Sequence, residues 1–509
     1  MAEQVSSACD LENEPDNCFC TDHLMENLEH RSLRGGALTM IGQAAKLCLQ
    51  VGSTAALARL LTPGDFGLVA MVATFTNFIN LFKDLGLSLA TVQRATITHN
   101  QVSALFWINV AVSAVLMMIT VALAPVAAWF YGEPRLTGIM LAMAGTFLFG
   151  GLTAQHAALL QRQMRFAVLA GVDVTSMAAG VATAIVMSCL GFGYWALVGM
   201  GMVAPATYMI LVWMFVPWRP TSPRGEQGIG SMLGFGGHLT GVSVLGYVAK
   251  NADNVLIGRY LGSAALGLYS RAYHLLLLPI HQINAPLAAV AIPALCRLQE
   301  DDDRYRRYYY TAISAIAWAT MPLALGMAAL ADEIILLFLG PQWALAAEVF
   351  QVLAFAALLQ PLVNTTGWIY VSLNQTARML RFSSVSVPIF TAALVLGLSW
   401  GILGVARAYT LCSLVVAPFC LWYAYRHSPI RLKRVLLSAL PPLGLSLLMW
   451  ASIAWARPYF ADWDLVARLA GLVVLGGSVF LAGALLWPEA RRNLGMVLNM
   501  ARTLRAGKR

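Results

Sequence analysis

The chain has 509 residues, of which 59% are hydrophobic and only 11% charged, with a net charge of +9 and a mean hydropathy of +0.69. A soluble domain carries roughly 25% charged residues, so this composition excludes a water-soluble globular enzyme and places the chain in lipid. The positive balance is not a nucleic-acid footprint, because the basic residues sit in short loops between apolar runs, where they orient helices.

Residues 1–30 read as a polar, acidic cytoplasmic arm. It has no apolar core region, so no cleavable signal peptide is expected and the first membrane helix doubles as the insertion signal. A span needs about 20 mostly apolar residues. Runs of that kind lie near 36–60, 65–90, 102–130, 136–160, 167–189, 193–217, 232–258, 264–294, 308–331, 344–373, 383–400, 402–425, 435–456 and 466–487. The first, second, seventh and eighth hold fewer aliphatics and more Gly, Asn, Gln and charge. Four of the eight cysteines, Cys48, Cys189, Cys412 and Cys420, lie in these runs and read as small core residues. Cys18 and Cys20 have the wrong spacing for a zinc knuckle, and neither a metal nor a cofactor is expected.

Landmarks recur. Arg59-Leu60-Leu61 with Phe66-Gly67-Leu68 returns as Arg259-Tyr260-Leu261 with Leu266-Gly267-Leu268, 200 residues on. Phe130-Tyr131-Gly132 returns as Phe338-Leu339-Gly340 and, more weakly, Tyr194–Val198 as Ile402–Ala406, both at 208; Arg165-Phe166 returns as Arg381-Phe382, at 216. Slowly drifting offsets are what two duplicated bundles leave. With both termini inside, outer loops keep only Arg59, Arg135, Arg259, Arg457 and Arg468, which obeys the positive-inside rule. Six spans separate the copies, so the repeat is parallel. The expected fold is therefore all-α and polytopic, with about fourteen transmembrane helices in two parallel six-helix pseudo-repeat lobes plus two appended helices. The lobes cover 31–217 and 232–426, joined by a Pro- and Gly-rich cytoplasmic linker at 218–231. The two further helices occupy 427–487, and a basic tail follows at 488–509.

Ionisable groups at membrane depth are costly and usually face a protein interior or a watery cavity. In the first span Gln43, Lys46, Gln50 and Ser53 fall at i, i+3, i+7 and i+10, one helical face. Ser243, Gly246, Lys250 and Asp253 repeat that spacing 200 residues later. The eighth span aligns Arg271, His274, His281 and Asn284, with Pro279, Pro286 and Pro293 every seven residues. The second span aligns Asn77, Asn80 and Asp84, next to Lys83; Asp173, Glu348 and Arg407 are isolated charges elsewhere. These stripes predict a vestibule lined by Lys46, Lys250, Arg271, Arg407, Gln43 and Gln50, suited to a phosphate-bearing substrate. Mutual pairing of the charges, as Lys250 with Asp253 or Lys83 with Asp84, is the competing reading. Asp253, Glu348, Asp84 and His274 are candidates for ion coupling, to protons or sodium; His156, His238 and His281 are further titratable groups. Arg59 and Arg259, at matching outer ends, read as interfacial snorkelling residues or as an outer gate. The run Arg304–Tyr310 reads as an interfacial belt.

Leu61-Thr-Pro-Gly-Asp-Phe-Gly67, followed by Asp84-Leu-Gly-Leu87, resembles the polysaccharide-transporter family of Wzx-type lipid-linked oligosaccharide flippases. That family belongs to the superfamily of MATE multidrug exporters and lipid II flippases. Leu160–Phe166 and Ser270–Tyr273 are similar to features of its exopolysaccharide branch, and the resemblance covers about residues 31–430. It implies a bacterial inner-membrane protein that moves an undecaprenyl-pyrophosphate-linked glycan from the cytoplasmic to the periplasmic leaflet by alternating access. Membrane lipids, a coupling ion and a polymerase of the same pathway are the implied partners. Lys46, Lys250 and Arg271 match the family's basic cavity residues by type and depth only.

No phosphate-binding Gly loop with Lys-Ser or Lys-Thr occurs, so no ATP motor is expected. A membrane polymerase or glycosyltransferase is the alternative from another class. It needs carboxylates on an outer loop, where Asp332-Glu333 and Asp462/Asp464 are the only close acidic pairs. A MATE-like exporter of small cations is a third reading, disfavoured by basic lining residues.

Overall fold

The computed structural model of the chain describes residues 28–83, 91–92, 97–222 and 229–487; at 28–37, 229–245 and 248–250 it describes the backbone only. Hydrocarbon offers backbone N–H and C=O groups no partner, so a chain this apolar must satisfy them internally. Accordingly, the described residues contain helices and no strand. The helices are α1 (Leu28–Leu60), α2 (Pro63–Asn80), α3 (His99–Tyr131), α4 (Arg135–Arg162), α5 (Phe166–Cys189), α6 (Trp195–Phe215), α7 (Ile229–Arg297), α8 (Asp302–Ala329), α9 (Ala331–Phe338), α10 (Ala344–Asn364), α11 (Thr366–Ser372), α12 (Thr376–Gly397), α13 (Gly401–Tyr425), α14 (Leu432–Ala456) and α15 (Leu465–Leu486). α7 is broken at Gly262 (φ 84°, ψ 178°) into arms 229–261 and 263–297.

Ten helical stretches among the described residues are long and apolar enough to cross a membrane. One of them, Thr376–Tyr425, holds both α12 and α13, folded back on each other across the Leu398–Trp400 turn. α1 and α2 fall outside that set, because Gln43, Lys46 and Gln50 in the one and Asp65, Asn77 and Asn80 in the other lower their apolarity. The chain is a multi-pass membrane protein; fourteen crossings stays an expectation.

The chain divides into two compact units, Met1–Leu266 and Gly267–Arg509. In the first, α3/α4 and α5/α6 are antiparallel hairpins, α1 lies on α5, and α2 and α6 lie on α4. Val102, Leu105, Phe106, Leu159, Leu160, Val172, Val212 and Trp218 form a core at one end of this unit. His156 is part of its aromatic packing, stacked on Trp213 at 4.4 Å between ring centres. Residues 217–222 are fixed there: Trp218 Nε1 donates to His99 Nδ1 at 3.2 Å and Trp107 Nε1 to the Thr221 carbonyl at 2.9 Å.

The Leu61–Gly67 motif is a helix start. Thr62 Oγ1 accepts from the Asp65 amide at 3.3 Å, while Asp65 Oδ2 accepts from the Thr62 amide at 2.9 Å, and Pro63 opens the first turn. Gly67 then lets the backbone of Ser263 approach so closely that an added Cβ would overlap its carbonyl oxygen. Beside it, Gly258 faces the Tyr131 ring, and Phe75 packs edge-on against Phe130 and Tyr131.

The repeat reappears in chain reversals with positive φ. Gly132 (φ 68°) matches Gly340 (φ 99°) and Gly193 (φ 56°) matches Gly401 (φ 69°), both 208 residues apart; Met164 (φ 54°) matches Asn374 (φ 53°), 210 apart. The Arg165-Phe166 landmark is misaligned in the sequence reading. Arg165 is the residue before α5, whose counterpart before α12 is Gln375, whereas Arg381 lies inside α12.

In the second unit α8 packs on α10 and α14, α13 on α10 and α12, and α15 on α14. The aromatic-basic run at its start is not simply an interfacial belt. Tyr305 and Tyr309, one turn apart, are fully buried. Tyr305 bonds Ser372 at 2.7 Å, and Tyr309 bonds Thr365 at 2.8 Å and Tyr425 at 3.1 Å. The cysteine expectation also needs correction: Cys412 and Cys420 are buried, but Cys48 and Cys189 are exposed on their helices.

Overpacking a close backbone contact destabilises by about 1–3 kcal/mol. Gly67→Ala is therefore expected to lower the melting temperature of the purified protein clearly, and Gly52→Ala, where a Cβ meets nothing within 4 Å, to leave it unchanged. Equal melting temperatures would remove the Gly67–Ser263 contact as a constraint.

Candidate functional site

α1 and α5 run side by side, brought close at Gly42, where an added Cβ would lie 2.8 Å from Ala170 Cβ. One turn further along both helices, Lys46 Nζ lies 3.0 Å from Asp173 Oδ2. The two side chains are 34% and 36% exposed, so the protein covers this ion pair only in part. Lys46 is thus a compensated cation, and Asp173, noted in the sequence only as an isolated charge, is its partner. Nothing local could have paired them, since 127 residues separate the two. Gln43 on the same face is exposed and Gln50 half-buried. Ser53 is buried, its hydroxyl donating to the Gln50 carbonyl at 3.0 Å.

The equivalent stripe on α7 is less fully visible. The Lys250 side chain and all of Asp84 lie outside the described residues, as does the His238 side chain. Asp253 is buried, its Oδ1 accepting from the Asn254 amide at 2.8 Å, and its counterpart Ser53 is buried too. In the second unit Arg271 is half-buried while His274 and His281 are exposed. Beside Arg271, Tyr273 Oη lies 3.0 Å from Tyr409 Oη of α13. Arg407, two residues before Tyr409, is exposed in line with the exposed Leu411, Val415 and Phe419. Glu348 is exposed near the start of α10. Arg59 and Arg259 are both exposed at helix ends; the Arg259 guanidinium stands 5.9 Å from the Phe130 ring centre and 5.7 Å from that of Tyr260. The structure brings Lys46 together with Asp173; Arg271, Arg407 and Glu348, all in the second unit, lie on α7, α13 and α10.

Of the acidic residues that a membrane enzyme could use, Asp332, Glu333 and Asp464 have structural partners. Glu333, whose side chain is 2% exposed, accepts from Arg457 at 3.1 Å and Arg468 at 2.9 Å, and Arg457 also reaches Asp332. This clamp ties the ends of α14 and α15 to α9. Asp464 caps α15, accepting from the Val466 amide at 3.2 Å. Glu133, between α3 and α4, is held below the usual carboxylate range by its hydrogen bonds to Arg135. Three of the five basic residues expected on outer loops, Arg135, Arg457 and Arg468, are therefore neutralised by carboxylates.

These features define a polytopic helical fold in which the Asp332-Glu333 pair is bound by arginines. Residues 56–348 match the family described as "Polysaccharide biosynthesis protein", and the chain belongs to that family. It is similar to the teichuronic acid biosynthesis protein TuaB of Bacillus subtilis, 25% identical over 77% of this chain and 82% of that one. It is also similar to the succinoglycan biosynthesis transport protein ExoT of Rhizobium meliloti, 24% identical over 88% of this chain and 90% of that one. Among solved structures, the lipid II flippase MurJ in an inward closed conformation superposes with a TM-score of 0.69 at 13% identity, covering 88% of this chain and 98% of that one. The fold is therefore that of the flippase, as the resemblance implied.

Removing one partner of a buried pair destabilises by about 3–5 kcal/mol, because the other charge is left uncompensated. Glu333→Gln is expected to lower the melting temperature strongly, and Glu348→Gln, at an exposed position, to leave it near wild type. If both unfold at the wild-type temperature, the clamp does not hold α14 and α15.

Proposed function

We propose that the protein translocates an undecaprenyl-pyrophosphate-linked oligosaccharide from the cytoplasmic to the periplasmic leaflet of a bacterial inner membrane, by alternating access, for extracellular polysaccharide assembly. The observation that carries this reading is the Lys46–Asp173 pair, a third exposed within a bundle of otherwise apolar helices. A sugar–pyrophosphate head group needs a polar route past hydrocarbon, while its polyprenyl tail stays in lipid. Membership of a polysaccharide-biosynthesis family and the fold shared with a lipid II flippase support the same reading. No bond is made or broken, so no catalytic group is required, and the ion pairing of Asp332-Glu333 counts against one of the two acidic pairs open to the enzyme alternative.

In this reading Lys46, Lys250, Arg271 and Arg407, with Gln43 and Gln50, attract the pyrophosphate and sugar hydroxyls. Asp253, Glu348, Asp84 and His274 are the groups to examine for proton or sodium coupling, and Arg59 and Arg259 for an outer gate. Both termini lie in the cytoplasm, and a polymerase of the same pathway takes over the flipped product.

Deletion in the native host tests the reading directly. Complete lipid-linked repeat units should accumulate on the cytoplasmic leaflet while their assembly continues. Repeat units that reach the outer leaflet but stay unpolymerised would instead favour the polymerase. Lys46→Glu, Lys250→Glu and Arg271→Glu should each reduce export at least about tenfold, the scale of losing one charge-assisted contact, with unchanged protein abundance. Wild-type export from all three would discard the proposed lining.

A further inference from the structure

At the end of the second unit where α8 and α14 begin, the chain builds a cleft of about 420 Å³ lined by Asp303, Arg306, Arg307, Tyr310, Arg431 and Arg434. The four α8 residues fall at i, i+3, i+4 and i+7, one face of its first two turns, and Arg431 and Arg434 stand one turn apart at the start of α14. Four guanidiniums thus meet a single carboxylate. Arg306 is held in place by Asp302 and Asp303, both at 3.2 Å, and by donating to the Pro429 carbonyl at 2.8 Å. Among the described residues Arg307, Arg431 and Arg434 have no carboxylate partner. The Arg434 guanidinium lies 5.7 Å from the Tyr310 ring centre, and the Tyr310 hydroxyl accepts from the Arg431 amide at 2.8 Å.

The cleft is set before any ligand arrives. Buried Tyr305 and Tyr309, on the other side of the same two turns, lock α8 onto Ser372, Thr365 and Tyr425. The loop between α13 and α14 is pinned as well. Arg306 holds Pro429, Ser428 Oγ accepts from the Ile430 amide at 3.2 Å, and Gln375 Nε2 donates to the His427 carbonyl at 2.9 Å. Little ordering is therefore left for binding to bring about. Three guanidiniums without a carboxylate partner among the described residues, carried on pinned helix ends, match a phosphate, which accepts paired N–H bonds from Arg, better than they match a carbonyl or a sugar hydroxyl. Basic pockets between helices on the inner face of a membrane have this character toward lipid head groups.

We propose that this cleft binds the phosphate of a membrane lipid's head group. The site requires only a bilayer around the helices and goes beyond the translocation reading, since it lies at the helix ends and uses none of Lys46, Lys250 or Arg271. The phosphate has two possible sources, the phosphodiester of a bulk anionic lipid and the diphosphate of a polyprenyl carrier, and the test separates them.

Full-length protein is reconstituted in phosphatidylcholine nanodiscs containing phosphatidylglycerol, released, and its retained lipids counted by native mass spectrometry. Wild type should keep phosphatidylglycerol in preference to phosphatidylcholine, and Arg431→Ala/Arg434→Ala should reduce that retention about tenfold or more, as expected for two lost charge-assisted contacts. Retention should weaken with added salt, because the site is open to solvent. Undecaprenyl pyrophosphate is then added as competitor. Displacement of phosphatidylglycerol identifies the diphosphate carrier as the preferred ligand, persistence identifies a bulk lipid, and either upholds the site. If the double variant melts below wild type, Arg307→Gln, which removes an exposed guanidinium without a carboxylate partner, gives the same reading. Equal retention of the two lipids by wild type, or undiminished retention in correctly folded variants, would overturn the proposal.

Discussion

Backbone polar groups immersed in hydrocarbon find no water, and an unsatisfied one there costs several kcal/mol. Helices meet that demand along their length, so the difficulty moves to their ends, where each reversal must be short and internally bonded. Here the chain turns through single residues of positive φ. Gly132, Gly193, Gly340 and Gly401 take that conformation without steric penalty, and Asn374 is the next best choice. Met164 is the exception, an L-residue with a bulky side chain at φ 54°. The adjacent bonding maintains it: the amides of Met164 and Arg165 donate to the carbonyls of Gln161 and Leu160, closing α4.

What the sequence made legible followed from local chemistry. Thr62, Pro63 and Asp65 are a cap whatever lies around them, and glycine at 132 and 340 marks equivalent corners because few other residues fit there. The Arg165 and Arg381 match failed for the same reason in reverse. Two residue types agreed, but the corner is fixed by backbone conformation, which places Gln375 opposite Arg165. Tyr305 and Tyr309 were illegible as core because a buried tyrosine and an interfacial one share a composition. Only their spacing of one turn, set against Arg304 and Arg307 on other faces, hinted at two sides to that run.

The polar face of α1 was readable from its 3.6-residue period, whereas its partner was not. Register between α1 and α5 is set by the Gly42–Ala170 contact, and once that contact forms, Asp173 stands level with Lys46. A hydropathy pattern gives the depth of each charge but not which neighbour meets it. Exposure of small residues is equally hidden: Cys189 sits in an apolar run like that of Cys412 and Cys420, yet faces outward, as Cys48 does on the more polar α1.

Two dispositions of charge follow from these contacts, and they differ in what they can do. Glu333 is enclosed by two arginines with its side chain 2% exposed, so separating that cluster would strand a charge in low dielectric. It can only be a fastening. The Lys46–Asp173 pair is a third exposed, and at an effective dielectric near 20 two such charges attract by only about 4 kcal/mol at 4 Å. On the proposed translocation route, a diphosphate, with more charge than one carboxylate and more hydrogen-bond acceptors, would draw Lys46 away from Asp173 by exchange. Such an exchange keeps the lysine compensated with and without cargo. A free cation would instead hold its first anionic ligand tightly, and a transporter must let its ligand go.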